Sequence, residues 1–371
     1  MVKNRRMRIA YISLHWPRPL FSSVGKKIDT QISIWREHGH SVKFFSHLHT
    51  QDEIEPLVEG QRFYYQNNKN LISLELGRMQ AAQRLLKGIK EYDPDVIYLR
   101  WSMYVHPMKR IFSFAPTIVE INTNDLMEHK FLGFVKDNYN RLTRSIFLGN
   151  AAGHIYTSNE MLADRNFYKF SKPFVVITNG ISLEDTPFYP APSNQIPRLI
   201  FIGTPGMTWQ GTNKLMGFAN KYKDIQIDIV GFDQSDPLAE SQDNLLFHGY
   251  QQGQGYENLL KSADAAVGTL SLHLKGMDEA SPFKIRDCAA RGIPCILPYN
   301  DTDLSDLECP EIINIPNTID NIITHGDEIH DFIYKMRGRR LDRRIIENRI
   351  DIKQKELLRL DFFNKVSQSP I

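Results

Sequence analysis

Nearly continuous apolar runs, rich in β-branched residues, recur along the chain with stretches of helical period between them. In the first half they fall at 8–16, 41–47, 95–101, 117–123, 154–158 and 175–178. Runs that do not alternate predict strands covered on both faces, as in a parallel sheet. Residues 26–38 and 79–92 space their apolar positions as amphipathic helices do. Such alternation predicts an α/β unit. Residues 185–197, DTPFYPAPSNQIP, interrupt it with proline and polar residues and read as a linker. The pattern then restarts, with strands expected at 198–203, 225–231, 244–249, 265–270, 294–298 and 311–315. The fold class expected is therefore α/β, with two Rossmann-like domains facing across a cleft. The first would span 1–185 and the second 198–350, with a C-terminal helix at 351–371 packing back on the first. Doubly wound sheets bind ligands beyond the carboxyl ends of their strands, which puts the expected site in that cleft.

Composition narrows the partners. The chain has 371 residues, enough for two separate cores. A formal net charge of +2 gives no general attraction to polyanions, so nucleic acid is not an expected partner. No apolar run approaches the roughly 20 residues of a membrane span. The opening MVKNRRMRIAYISLHW reads as a first strand and not as a secretory leader, so a cytoplasmic location is expected. Cys288, Cys295 and Cys309 lack the spacing of a metal set; they read as small buried thiols in a reducing compartment, Cys288 as inert helix packing. The tail at 330–366 is basic and helical. It has two readings: a packing helix, with Ile350, Ile352 and residues 357–362 as its apolar stripe, or, from the arginine-dense run KMRGRRLDRR at 335–344, a basic surface touching anionic lipid at the inner face of the plasma membrane.

The segment 276–298, GMDEASPFKIRDCAARGIPCILP, carries the most chemistry. Ser281 followed by Pro282 predicts a helix start, with serine as the N-cap and proline as the first helical residue. The N–H groups of Phe283 and Lys284 would then point out of the helix end, where Lys284 adds a cation. Glu279 precedes the cap and Asp287 follows in the second turn; Gly292-Ile293-Pro294 closes the helix. The arrangement offers anion donors for a diphosphate and carboxylates for sugar and ribose hydroxyls. An ordinary capped helix with solvated charges is the alternative. Gly203-Thr204-Pro205-Gly206 after a strand, and Trp209-Gln210-Gly211 before a helix, are turns whose N–H groups can approach phosphate. Ser22-Ser23-Val24-Gly25-Lys26-Lys27, after the first strand, has the composition of a second anion site. None of these is a complete G-x-G-x-x-G or P-loop.

Taken in order, these segments resemble the GT-B glycosyltransferases of family 4, the glycosyltransferase group 1 proteins. Glu279-x7-Asp287 is similar to the family's E-x7-E, and Ala290-Arg291-Gly292-Ile293-Pro294 to its A-x-G-x-P. Ser281-Pro282-Phe283-Lys284 is similar to the S-P-L-K of bacterial polysaccharide members, and Asn179-Gly180-Ile181 to N-G-[IV]. Residues 37–42, EHGHSV, are similar to the G-H-x-V stretch that leads into the second strand, and Asp301-Thr302-Asp303 to a segment of polysaccharide-assembly members. The resemblance runs from about Met7 to Tyr299. It implies catalytic roles for Glu279, Lys284 and Asn122, with Glu279 on hydroxyls of the transferred sugar and Asn122 where many relatives carry a histidine. It implies donor contacts from Gly25, Gly203, Thr204, Gln210, Gly211, Ser281, Pro282, Phe283 and Asp287, the last on the ribose. The chain departs from the family at Thr204 and Gln210, where relatives carry an arginine and a lysine on the diphosphate. Lys284, helped by Lys26 or Lys27, would have to neutralise the leaving group.

What the resemblance implies is metal-independent, retaining transfer of a sugar from a nucleoside diphosphate to a glycan or lipid-linked acceptor, in assembly of exopolysaccharide, capsule or lipopolysaccharide. No cofactor is expected beyond the nucleotide sugar itself. A sugar-nucleotide 2-epimerase and an inactive nucleotide-sugar-binding module of an assembly complex are the alternatives; the missing cations favour the module. Other residues read more plainly. His47 and His49 share one face of a strand without a third metal ligand and read as surface or satisfied histidines. His15 and Trp16 read as acceptor-side or core residues. Glu120, Asp125 and Glu128 read as a solvated loop or an acidic acceptor contact.

Overall fold

A computed structural model describes residues 5–14, 23–49, 60–65, 70–233 and 242–368. The chain forms two compact units, Met1–Ile177 with Lys353–Ile371, and Thr178–Ile352. It thus crosses between units at 177/178 and 352/353, beside the expected 185, 198 and 350.

The first unit holds a parallel sheet of β1 (Arg8–Ser13), β2 (Ser41–His49), β3 (Gly60–Tyr65), β4 (Val96–Arg100), β5 (Thr117–Ile121), β6 (Gly153–Tyr156) and β7 (Phe174–Val176). Their order is β3-β2-β1-β4-β5-β6-β7. The main helices are α1 (Ser23–Glu37), α2 (Leu71–Tyr92) and α3 (Phe134–Asn150). Strand β3 was not anticipated. It is an edge strand, half-buried except at exposed Tyr64, and GQRFYY lacks the continuous apolar signature of the others. The inner strands bury both faces: Ala10 and Ile12 join one core with Leu85 and Leu99. Tyr11 points to the other face, in register with Phe44 and Tyr98.

The second unit repeats the architecture. Its sheet, ordered β10-β9-β8-β11-β13-β15, comprises β8 (Arg198–Ile202), β9 (Gln226–Val230), β10 (Leu245–Phe247), β11 (Ala265–Val267), β13 (Cys295–Leu297) and β15 (Ile312–Asn314). Two short strands, β12 (Glu279–Ala280) and β14 (Asn300–Asp301), pair separately in parallel. At two residues each, they leave no hydrophobic pattern to read. Helix α4 (Phe283–Ala290) lies between them in sequence and packs Ile285, Cys288 and Ala289 into the core. The α/β fold of two parallel Rossmann-like sheets is as the sequence predicts.

Three arginines of the dense run at 335–344 are committed to backbone carbonyls, and the tail buries Ile350, Ile352, Leu360, Phe362 and Phe363 as a packing element. Arg337 donates to the Gln195 carbonyl, and Arg340 to those of Pro190, Lys261 and Ala263. Arg343 donates to the carbonyls of Leu183, Thr186 and Ala290. These guanidiniums close loop and helix ends whose carbonyls would otherwise lack donors.

The tail helix α5 (Ile352–Gln368) docks in the first unit through a buried ionic network. Glu356 accepts from Gln31 at 3.1 Å, from Trp35 Nε1 at 2.8 Å and from Arg359. Arg359 also reaches Tyr98 Oη at 3.1 Å and Glu120 at 3.3 Å. Glu120 further accepts from Lys27 at 2.7 Å and Arg100 at 2.9 Å. Phe363 packs edge-on to Trp35, ring centroids 5.2 Å apart. Glu120, expected in a loop, is instead a fully buried counter-ion on β5. Burial alone would raise its carboxyl, but Lys27, Arg100 and Arg359 hold it well below the usual range. Asp125 is also buried, gripped by both ends of the Arg144 guanidinium at 2.8 Å.

Breaking such a network leaves an uncompensated buried charge. Arg359→Leu is expected to lower stability by about 3–5 kcal/mol, read as the fall in the denaturant unfolding midpoint.

Candidate active site

The residues singled out by sequence divide between the units. Gly25 and Asn122 belong to the first; Gly203, Thr204, Gln210, Gly211, Glu279, Ser281, Pro282, Phe283, Lys284 and Asp287 belong to the second. In the second unit they gather around the start of α4.

That helix begins one residue later than expected. Pro282 is the N-cap, Phe283 the first helical residue, and no side chain caps the end. Ser281 does not cap α4; its hydroxyl accepts from the Asn179 N–H at 3.2 Å, and its carbonyl accepts from Asn179 Nδ2 at 2.8 Å. A proline at the cap supplies no acceptor, so the helix end keeps its positive character. Among the described residues the Lys284 N–H meets no acceptor.

Arg286 anchors this end. Its side chain is fully buried and donates to Asp301, to Asp303 at 2.6 Å and to the Asn179 carbonyl at 3.3 Å. Thr178 Oγ1 donates to the same Asp303 carboxylate at 2.9 Å. Burial pushes the Asp301 carboxyl up against the pull of Arg286. The sequence reading passed over Arg286 because its partners lie 15 and 17 residues onward. The pair of aspartates around Thr302 was the available signal.

Lys284 is placed differently. It is half-buried, its ammonium donates to Gln210 Oε1 at 2.7 Å, and it lies 4.5 Å from the centre of the Phe201 ring. No carboxylate pairs with it among the described residues, and burial lowers its pKa to about 7. The full charge expected from sequence is therefore weakened until an anion arrives. Gln210 thus holds this lysine. Its own turn is fastened to the chain after β11, since Leu270 N–H donates to the Gln210 carbonyl at 3.1 Å. Gly211 ends the turn at φ 72°, and a Cβ there would come within 2.7 Å of Ser271 Oγ. Thr204 is exposed after β8, and the N–H of neighbouring Gly203 donates to the Val230 carbonyl at 2.9 Å.

Glu279 is buried on β12, which pairs with β14. Nearby, Tyr299 Oη and Thr302 Oγ1 are buried polar atoms without partners among the described residues, a pair the sequence did not flag. Asp287 is engaged within the protein: one oxygen accepts from Tyr256 Oη at 2.8 Å and the other from Arg291 Nε at 2.9 Å. Arg291 in turn donates to Glu257 at 2.8 Å. Asp287 thus ties α4 to the helix Gly253–Ser262 whatever else it contacts.

In the first unit, Asn122 follows β5 and keeps a buried Oδ1 without a partner among the described residues. Gly25 lies in the first turn of α1, not in a loop before it, and the Lys27 ammonium is committed to Glu120. The second anion site expected there loses that cation. His47 is buried, not at the surface; burial pushes it down to about 4, and neither ring nitrogen has a partner among the described residues. Among the described residues no group of His, Cys, Asp or Glu could hold a metal ion. The three cysteines are free and buried, and burial pushes the Cys288 thiol up. Residues 15, 16 and 22, and the His49 side chain, lie outside what is described.

Removing Arg286 should unseat this end of α4. Arg286→Leu is expected to cost about 3–5 kcal/mol because the Asp301 carboxyl stays buried without its counter-ion, and Arg286→Leu/Asp301→Leu should recover part of the loss. Denaturant unfolding of both variants checks this.

Neither a protein-family model nor a curated protein matches the chain by sequence. Solved structures do match. Sucrose-phosphate synthase from Thermosynechococcus elongatus has a TM-score of 0.75 at 14% identity, over 97% of this chain and 99% of that one. The Anabaena protein HepE, in complex with UDP and glucose, gives 0.64 at 12%, over 97% and 100%. The lipopolysaccharide outer core galactosyltransferase WaaB gives 0.62 at 15%, over 97% and 99%. A Listeria monocytogenes protein assigned as a UDP-N-acetylglucosamine 2-epimerase fits more loosely, with 0.53 at 11% over 96% and 95%. The chain has the GT-B fold of the glycosyltransferases.

Proposed function

We propose that this protein is a glycosyltransferase that moves a sugar from a nucleoside-diphosphate donor to a glycan or lipid-linked acceptor, with the donor diphosphate at the start of α4. The observation that carries the proposal is Lys284: a cation in the first turn of an uncapped helix, half-buried, with no carboxylate partner among the described residues. A protein stabilises such an ammonium poorly by itself, and a bound dianion would complete it. One similar solved structure, that of HepE, holds UDP and glucose, which supports a nucleotide-sugar ligand.

In the mechanism, bond breaking at the donor carbon leaves charge on the diphosphate. Lys284 and the α4 N–H groups would stabilise that charge where it develops. Glu279 would accept hydrogen bonds from hydroxyls of the transferred sugar, and Tyr299 and Thr302 offer further polar atoms there. The resemblance also gives Asn122 a catalytic role. The retaining outcome, with the leaving phosphate taking the acceptor proton on the same face, and the absence of a metal or cofactor requirement, belong to this proposal. So do a role in surface polysaccharide assembly and contact with the membrane that would hold a lipid-linked acceptor. The looser fit to the epimerase, and the full set Glu279, Ser281 and Lys284, weigh against epimerisation and against an inactive module.

Two measurements test the site. Lys284→Met should lower turnover about 10²–10³-fold, the scale for losing one group on a developing anion, and Glu279→Ala should abolish transfer; wild-type turnover in either contradicts its role. The second is proton linkage. Lys284 is mostly neutral at pH 8 when its pKa is near 7, and a bound diphosphate raises that pKa. Nucleoside-diphosphate binding at pH 8 should therefore take up a proton. Affinity should be full below about pH 7 and fall as pH rises, and Lys284→Met should lose this dependence. Calorimetry in buffers of different ionisation enthalpy reads the uptake.

A further inference from the structure

The first unit presents an apolar surface that none of its described elements covers. On α3, Phe134 is 83% exposed, Val135 77% and Leu142 80%. Tyr139 lies between them, and at the helical period the four side chains fall within one arc of roughly 140°. The opposite side of α3 carries Asn140, Arg144, Phe147 and Leu148, which are buried. Leu132, just before the helix, is exposed as well. The helix thus carries two apolar faces, and only one of them has a core to meet. Exposed large side chains set singly are ordinary, but a contiguous set on one helix face marks a contact surface.

Charge says what the surface meets. Lys136 and Arg141 fall on either side of the apolar arc, the placement of cations whose stems lie along an interface. Lys109 and Arg110, on the short helix Met108–Ser113 that packs against α3, and Lys130 are exposed. None of Lys109, Arg110, Lys130 and Lys136 pairs with a carboxylate among the described residues. The nearby acids are already taken: Asp125 by Arg144, Asp137 by Arg141 at 3.0 Å, and Glu128 by Thr123 Oγ1. Apolar side chains ringed by unpaired cations suit the headgroup region of an anionic bilayer, where a helix lies in the plane of the surface.

We infer that α3, with Leu132 before it, is a membrane-surface element that seats this protein on anionic lipid through Phe134, Val135 and Leu142. This gives a location to the membrane contact proposed above and moves it from the 335–344 run, where Arg337, Arg340 and Arg343 are spent on backbone carbonyls and Arg344 on Asp342. It does not rest on the donor site, and its test reads lipid binding alone, so its failure would leave the transfer reading untouched.

The test is co-sedimentation of the full chain with vesicles of phosphatidylcholine alone or mixed with phosphatidylglycerol. The wild type should bind the mixed vesicles, weakly bind the neutral ones, and release at high salt. Phe134→Ser/Leu142→Ser should lower binding about tenfold or more, and Lys130→Glu/Lys136→Glu should remove the preference for the anionic lipid. Leu358→Ser, at an exposed site on α5, should change nothing. All these side chains are exposed, so the variants should unfold at the wild-type midpoint. Equal binding by wild type and Phe134→Ser/Leu142→Ser overturns the inference. So does light scattering that shows this variant losing self-association while vesicle binding is unchanged, because the face would then belong to a second copy.

Discussion

The second unit is organised around a guanidinium that has no access to water. Arg286 sits inside a short helix whose other inward residues are Ile285, Cys288 and Ala289, and its charge must be matched where it lies. Asp301 and Asp303 match it from the chain after β13, and the Asn179 carbonyl from the start of the unit. Three distant segments are thereby fixed on one helix. The same fixation determines where the uncapped end of that helix points and what the side chain two residues earlier can reach. Arg286 is satisfied so that Lys284, on the same turn, can be left without its anion.

The two cations illustrate one rule with opposite outcomes. A buried ion with good partners is structural, whereas one without them is a request for a ligand. The first unit follows the structural branch almost completely: Lys27, Arg100 and Arg359 share Glu120, Arg359 also meets Glu356, and the tail helix is held by that exchange. The second unit follows both branches within three residues of sequence. That contrast, more than the presence of a phosphate-like motif, is the physical basis for placing the donor diphosphate at α4.

Much of the architecture was legible in the chain. Runs such as RIAYIS and RLIFI, apolar on both faces, could only be inner strands, and their restart after 197 revealed the second unit. Elements without such a signature stayed hidden: β3, whose edge position tolerates polar residues, and β12 and β14, too short to show a period. Helix α4 was legible to within one residue, because Ser-Pro suits either cap assignment. Pairings at long sequence separation were not legible. Glu120 and Asp125 looked like loop acids and are buried counter-ions, Lys27 looked like a phosphate ligand and is the partner of Glu120, and the arginines at 337, 340 and 343 looked like a surface and are carbonyl clamps. A charge in a sequence does not reveal whether its partner is solvent, protein or ligand; only the fold decides that.

The central claim is that this site binds a nucleoside-diphosphate sugar and breaks the bond between sugar and diphosphate. The most direct measurement incubates the purified protein separately with a panel of such donors and identifies the products. The account predicts that one donor yields free nucleoside diphosphate, slowly without an acceptor and faster with one. A donor that emerges with its sugar isomerised and its diphosphate still attached, or a panel in which no donor is bound or consumed, would contradict it.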